Sequence, residues 1–127
     1  MRREDLYLAD ILIAAAAVSN YIEGVSRARF DAERMIRSAV IHELQIIGEA
    51  VSKISPELKL RYPAIPWNEI VGFRNIVVHE YFGVDPAIVW HTATVNAPKI
   101  RGLIAEVLKN EYPQTYFQFF EKNESQS

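Results

Sequence analysis

Cysteine is absent from this chain of 127 residues. Its absence excludes a disulfide framework, a thiolate zinc site and a cysteine nucleophile. A chain of this length suits one domain and can bury a hydrophobic core without such crosslinks. A protein without cysteine also suits the cytoplasm, which is the location that we expect.

Basic residues are not in excess either, because 14 lysines and arginines face 16 acidic residues and the formal net charge is -2. A protein that coats nucleic acid without sequence preference is usually basic, since neutralised phosphates supply its affinity. If this chain handles nucleic acid, it does so at a local site. The three histidines and the acids lack metal-ligand spacing, and no phosphate-cradling glycine-rich loop or serine-triad motif is present. We therefore expect neither a metal nor a cofactor.

Long hydrophobic runs are missing as well. The stretch "ILIAAAAV" (11–18) follows two arginines and faintly resembles a signal peptide, but Glu4, Asp5 and Asp10 stand where a signal peptide is basic or apolar. The run is also too short to span a membrane. We therefore expect an amphipathic first helix and no association with a membrane.

Helical spacing extends over most of the chain, whereas no stretch alternates between apolar and polar residues as a strand does. The first predicted helix ends at Gly24 and carries an apolar stripe of Leu8, Ile11, Ala15, Val18 and Ile22. Asp31 is the expected N-cap of the second helix, whose stripe comprises Ile36, Val40, Leu44, Ile47, Val51 and Ile54. Gly48 lies inside this helix at a propensity cost of about 1 kcal/mol, which indicates a close approach of another helix.

Boundary residues also mark the middle of the chain. Ser55 is the expected N-cap of a short helix that has Pro56 at its first position, and residues 63–66 form a linker. Trp67 opens a further helix that should continue to about Tyr81, where glycine follows as the C-terminal stop.

The last long helix should begin after Asp85, and Pro98 should kink it because proline removes one backbone donor. The sequence thus predicts an all-α fold, an up-and-down bundle of four main helices plus a short helix, within residues 1–110. Residues 111–127 form an aromatic and then polar tail. Its aromatic side chains should dock on the body or on another subunit, and its polar end should be disordered.

The stretch "GFRNIVVHEYFG" (72–83) combines four polar side chains with many apolar ones. Each residue of an α-helix turns by about 100°, so Asn75 and His79 are one turn apart and face the same way. Arg74 is long enough to reach both, and Tyr81 lies two turns above Arg74. The opposite arc is apolar and suits the bundle core. The mixed polar arc suits a subunit interface or the floor of a cleft.

These residue types can cleave a phosphodiester without metal. His79 could act as general acid or base, Arg74 could bind the scissile phosphate bidentately, and Asn75 could orient either group. In-line cleavage of RNA benefits from both an acid and a base, and a two-fold dimer would bring a second His79 to the same cleft. The other histidines are expected elsewhere, His42 on the surface and His91 in a structural role.

A structural interpretation of the same residues is open, and from spacing alone it is the more common outcome. His79 could bond a neighbouring helix, and Arg74 could pair with Glu43 or Glu49. Glu49 itself could support the site by orienting Arg74, or it could form a core ion pair. Tyr81 could be an aromatic residue at the edge of the core.

The ordered set of motifs resembles the HEPN superfamily and, within it, the HepT-like proteins. The resemblance covers roughly residues 5–107 and rests on "DIL", "YIEG", "IGEA", "YPAIPW", "RNIVVHEY" and "VDPAIVW". The family signature is an arginine, four to six residues and a histidine, with a polar residue usually following the arginine. Arg74, Asn75 and His79 match it.

The resemblance implies a HEPN-like, homodimeric bundle in which two signatures meet in a cleft. It implies a metal-independent endoribonuclease that acts as the toxin of a type VII-like toxin–antitoxin pair. The implied partner is a minimal nucleotidyltransferase antitoxin, which would transfer AMP to the tyrosine two residues after the histidine, here Tyr81. Added negative charge and bulk there would exclude the RNA phosphate. The alternative is a non-catalytic subunit that binds nucleotide or the nucleotidyltransferase as a scaffold, or a motif that only builds the dimer interface.

Overall fold

The computed structural model describes residues 3–75 and 85–121, and every regular element within them is helical. The first half contains α1 Glu4–Ile22, α2 Arg27–Ala32, α3 Arg34–Ser52, α4 Pro56–Arg61, α5 Trp67–Val71 and a 3₁₀ turn, Gly72–Asn75. The second half contains α6 Pro86–His91, a π-helical turn Thr92–Asn96, α7 Ala97–Glu111, α8 Pro113–Tyr116 and a final π-helical turn, Phe117–Glu121. The predicted all-α bundle is confirmed. The homodimer stays a prediction.

The first helix is the centre of the bundle, and it packs against α3 and α7. By length and composition alone, α1 (Glu4–Ile22) could cross a membrane, whereas the apolar run at 11–18 within it is too short to do so. Its apolar residues form the core instead: Leu8, Ile11 and Val18 have no exposed surface, and the core helix of a bundle meets the same criteria. Burial against two partner helices explains why this helix is apolar over so much of its circumference.

The predicted start of the second helix was wrong. Asp31 lies inside α2, where its carboxylate accepts hydrogen bonds from Nε of Arg27 at 2.9 and 3.0 Å. Ser26 is the N-cap of α2, and its hydroxyl accepts the backbone N–H of Arg29 at 3.1 Å. The next helix, α3, begins after Glu33. One short helix therefore precedes the helix that the apolar stripe predicts.

Other predicted boundaries are confirmed. The Ser55 hydroxyl accepts the backbone N–H of Leu58 at 3.2 Å and caps α4. The Asp85 carboxylate accepts the backbone N–H of Ala87 at 2.9 Å and caps α6. Trp67 begins α5. These caps satisfy backbone donors that have no partner within the helix.

The last long helix departs from regular α-helix before Pro98 rather than at it. The π-helical turn covers Thr92–Asn96, and α7 begins at Ala97 with the proline in its first turn. Proline has no backbone N–H, and the first residues of a helix need none, so Pro98 fits the first turn of α7. The wider π-helical turn directly before it accommodates the break in the regular hydrogen-bond pattern. The π turn ends at a polar residue, Asn96, which is partly exposed.

Aromatic residues after Glu111 dock on the body of the molecule, as predicted: Tyr112, Tyr116 and Phe120 pack against the core. Polar contacts hold the same segment, because Thr115 donates a hydrogen bond to the buried Asp5 carboxylate at 2.6 Å. The predicted disordered end, residues 122–127, lies outside the described residues.

Candidate active site

Gly48 on α3 packs against the turn that carries Arg74 and Asn75, the first residues of the motif. A Cβ built on Gly48 would lie 2.6 Å from the backbone nitrogen of Arg74 and 3.0 Å from the carbonyl oxygen of Val71. Real Cβ atoms do not approach other atoms this closely, so a side chain at position 48 would displace the turn. The predicted close approach is therefore confirmed, and its partner is the backbone immediately before and at the motif arginine.

The motif begins on a 3₁₀ turn, not on the regular α-helix that the spacing predicts. The α-helix ends at Val71, and Gly72–Asn75 continue as 3₁₀ helix. Because a 3₁₀ helix has three residues per turn, Asn75 points about 120° away from Arg74 rather than about 100°. Both side chains are exposed. They are thus presented to solvent by a backbone that packs directly on α3.

The other two motif residues, His79 and Tyr81, lie outside the described residues. Their predicted meeting with Arg74 and Asn75 therefore stays a prediction. The same applies to the continuation of the helix toward Tyr81. What the structure contributes is the position and surroundings of the arginine–asparagine pair.

Glu43 and Glu49 are the acidic residues that were predicted as possible partners of Arg74. Within residues 3–75 and 85–121, no ion pair joins Arg74 to either of them. Glu49 is exposed, so the core ion pair predicted for it was wrong. It lines a groove together with Tyr7 and Asp10 of α1. A supporting role of Glu49 at the site stays a prediction, and these contacts do not favour it. Among the described residues, no acidic side chain therefore neutralises the charge of Arg74.

The two remaining histidines are separate from the motif. His42 is exposed on α3, as predicted. His91, at the end of α6, is also exposed, and its side chain makes no hydrogen bond among the described residues that would support the structural role predicted for it. In this described part of the chain, no three His, Asp or Glu side chains come together as potential metal ligands.

The 72–75 turn of this helical bundle packs on α3 and exposes Arg74 and Asn75. Asn75 lies four residues before His79 in the sequence. This fold and this signature are those of the HEPN class. The ribonuclease HepT-like family matches residues 11–107, and the chain belongs to that family.

Relatives cover most of the chain. A protein of Methanocaldococcus jannaschii named "Putative RNase MJ1380" is 40% identical over 95 residues, which are 75% of this chain and 87% of that protein. A protein of Thermococcus cleftensis named "Probable ribonuclease HepT" is 33% identical over 103 residues, 81% of this chain and 94% of that protein. None of the solved structures matches the chain.

Proposed function

We propose that this chain is a metal-independent endoribonuclease and the toxin of a type VII-like toxin–antitoxin pair in the cytoplasm. The observation that carries the proposal is the exposed Arg74–Asn75 pair, held on Gly48 and unpaired with any described acid, in a chain of the ribonuclease HepT-like family. A fixed backbone and a free guanidinium are what binding of a scissile phosphate requires.

Each motif residue has a role in this mechanism. Arg74 binds the phosphate and stabilises the charge that develops on it. His79 transfers the proton, and Asn75 orients the histidine or the phosphate. In a two-fold dimer the second His79 supplies the complementary acid or base, so that the 2′-hydroxyl loses a proton while the leaving 5′-oxygen gains one.

The test is cleavage of RNA by the purified protein in EDTA. Wild type should cut, and His79→Ala should lose at least about a hundredfold in rate, the usual contribution of a general acid or base. His42→Ala, which removes an exposed histidine of α3, is the matched control and should cut like wild type. Intact RNA with wild type, or equal cutting by the His79→Ala variant, would sink the assignment.

We further propose that a minimal nucleotidyltransferase antitoxin neutralises the toxin by transferring AMP to Tyr81. The phenol oxygen attacks the α-phosphorus of ATP, its proton passes to solvent or a base, and pyrophosphate leaves. Intact mass spectrometry after co-expression should give an added AMP mass on wild type and none on Tyr81→Phe. Added mass on the Tyr81→Phe variant would place the modification elsewhere.

The second candidate function is a non-catalytic scaffold that binds nucleotide or the nucleotidyltransferase. The net charge of -2 favours it, because a general RNA-binding surface is usually basic. Growth on expression separates the two functions. A toxin should arrest growth unless His79 is replaced, whereas a scaffold should be harmless with either residue at that position.

A further inference from the structure

A cavity of about 120 Å³ lies between the motif turn and the last long helix. Apolar side chains of Ile70, Phe73, Ile100 and Leu103 line it. Phe73 directly precedes Arg74 in the 3₁₀ turn, so one wall of the cavity is continuous with the backbone of the proposed phosphate-binding residue. Because Phe73 and Arg74 are adjacent in sequence, a ligand in the cavity and a group bound by Arg74 would be held by neighbouring positions of the same turn.

Pro66 and three polar side chains complete the lining, and the polar ones are Glu69 of α5, Asn96 of the π turn and Lys99 of α7. None of them has a side-chain hydrogen bond or ion pair among the described residues. Ligand sites are typically apolar cavities with a few polar groups, and a cavity smaller than the usual volume of about 300–1,000 Å³ suits one part of a ligand rather than a whole drug-sized molecule.

We infer that this cavity is a base-binding subsite, in which the enzyme holds an RNA base next to the scissile phosphate and selects the cleavage position. This inference rests on the proposed ribonuclease function. Phe73 offers a face on which a base can stack, a contact that every base can make. The Asn96 amide has both donors and an acceptor, so it can read the edge of the base.

The two charged residues of the lining would contact different parts of the RNA, Glu69 the base and Lys99 a flanking phosphate. The Glu69 carboxylate accepts hydrogen bonds from amino or imino groups of a base. Lys99 is exposed and can bind a flanking phosphate, which positions RNA without reading its sequence. The acidic net charge of the chain is compatible with this arrangement, because selection here depends on one local pocket rather than on a broad basic surface.

The experiment is cleavage of one RNA that contains all dinucleotide steps, with the cut positions mapped by sequencing. Wild type should prefer steps that share a base at one position. Asn96→Leu, which keeps the branching at Cγ and removes the amide, should lower cutting at the preferred steps about tenfold relative to the others. Asn20→Leu, at an exposed position on α1, is the matched control and should keep the wild-type pattern.

A second variant, at another residue of the lining, controls for a folding defect caused by the substitution at position 96. Phe73→Leu retains an apolar side chain but removes the ring face, and it should also reduce the preference among steps. If both variants fold and cut the same steps with the wild-type ratios, the subsite does not exist even though the ribonuclease function stands.

Binding provides a readout that does not depend on cleavage. Titration of ¹⁵N-labelled wild type with the four 5′-mononucleotides should shift the Asn96 side-chain amide signals, and Leu103→Trp, which fills the cavity, should abolish the shifts. If wild type does not cut RNA, the ribonuclease proposal fails, and the same titration decides the subsite separately. Shifts that depend on protein concentration alone would assign the cavity to a second copy of the chain and overturn the inference.

Discussion

Gly48 leaves room for the 72–75 turn, because a Cβ at this position would meet the backbone nitrogen of Arg74 at 2.6 Å. Backbone cannot rotate away as a flexible side chain can. We expect Gly48→Ala to lower the free energy of unfolding by about 1–3 kcal/mol, the usual cost of overpacking, despite the better helix propensity of alanine. Displacement of Arg74 should also reduce RNA cleavage. Chemical denaturation and a cleavage assay measure the two effects.

Gly102 provides the matched control for this substitution. It is exposed on α7, and a Cβ there would meet nothing within 4 Å. Gly102→Ala should therefore raise the free energy of unfolding, by up to about 1 kcal/mol, and leave cleavage unchanged. Equal behaviour of the two variants would show that the close approach at Gly48 has no influence on the site.

Replacement of the Arg74 side chain tests whether the motif has a structural or a functional role. The guanidinium is exposed, and no described acid pairs with it. Arg74→Lys should change the free energy of unfolding by less than about 0.5 kcal/mol, as surface substitutions usually do. Cleavage should fall at least about tenfold, because lysine cannot bind a phosphate bidentately. A parallel loss of stability and activity would instead support the structural interpretation.

At the scale of elements, the start of α1 anchors the C-terminal segment through the buried Asp5 carboxylate. Arg3 donates two hydrogen bonds to it at 2.9 and 3.1 Å, and Thr115 of α8 donates one at 2.6 Å. Burial alone would raise the pKa of Asp5, but the hydrogen bonds from Thr115 and Arg3 outweigh it, and the pKa lies below its ordinary value. The ionised carboxylate therefore stabilises the docked α8.

This pKa shift has a definite sign in the pH dependence of stability. A carboxyl with a lowered pKa in the folded state contributes stability above its unfolded pKa of about 3.9, and the contribution is lost as the pH falls through the folded value. Asp5→Asn should thus be less stable than wild type at pH 7, by about 1.5–3 kcal/mol. The difference should shrink as the pH falls below about 3.9, because there the carboxylate of the unfolded chain binds its proton before that of the folded protein does.

Thermal unfolding at a series of pH values measures this difference. Thr115→Val serves as the second variant, because it removes one donor and keeps the carboxylate. It should raise the folded pKa of Asp5 toward its unfolded value, so that the acid-induced loss of stability is smaller than in wild type and is complete at a higher pH. A difference between wild type and Asp5→Asn that stays constant from pH 7 to pH 2 would contradict the account.

Local signals in the sequence were sufficient for those elements whose ends depend on neighbouring residues. Ser55 and Asp85 cap helices through backbone groups two or three positions away, and such caps can be predicted from the sequence. The short α2 was missed because Asp31, a good cap by type, is instead paired with Arg27. Ser26, followed by a six-residue helix, was the available signal.

The candidate site was predictable in part for the same reason. The order of Arg74, Asn75 and His79 identifies the residues, and Gly48 indicated that some element approaches α3 closely. The 3₁₀ geometry of the motif turn could not be predicted, because it accompanies packing against residues more than 20 positions earlier in the chain. The cavity beside Phe73 depends likewise on α7, which follows in sequence but lies opposite in space.

At the scale of the whole molecule, each chain supplies one motif histidine, while the proposed reaction uses one acid and one base. Sedimentation equilibrium should therefore give about twice the chain mass of 14.5 kDa. The stronger prediction concerns mixed dimers. If both copies of His79 act in one cleft, a dimer that contains one His79→Ala chain lacks either the acid or the base and should be nearly inactive.

Wild type and His79→Ala, refolded together in equal amounts, would form dimers at random, and only about a quarter of these would contain two intact chains. Cleavage per wild-type chain should thus fall to about half of its unmixed value, whereas independent chains would show no fall. Wild type mixed with His42→Ala controls for refolding losses, because that residue is exposed on α3 and outside the motif. Activity that stays proportional to the wild-type chains present would mean that one His79 is enough, and the second proton transfer would then need another donor.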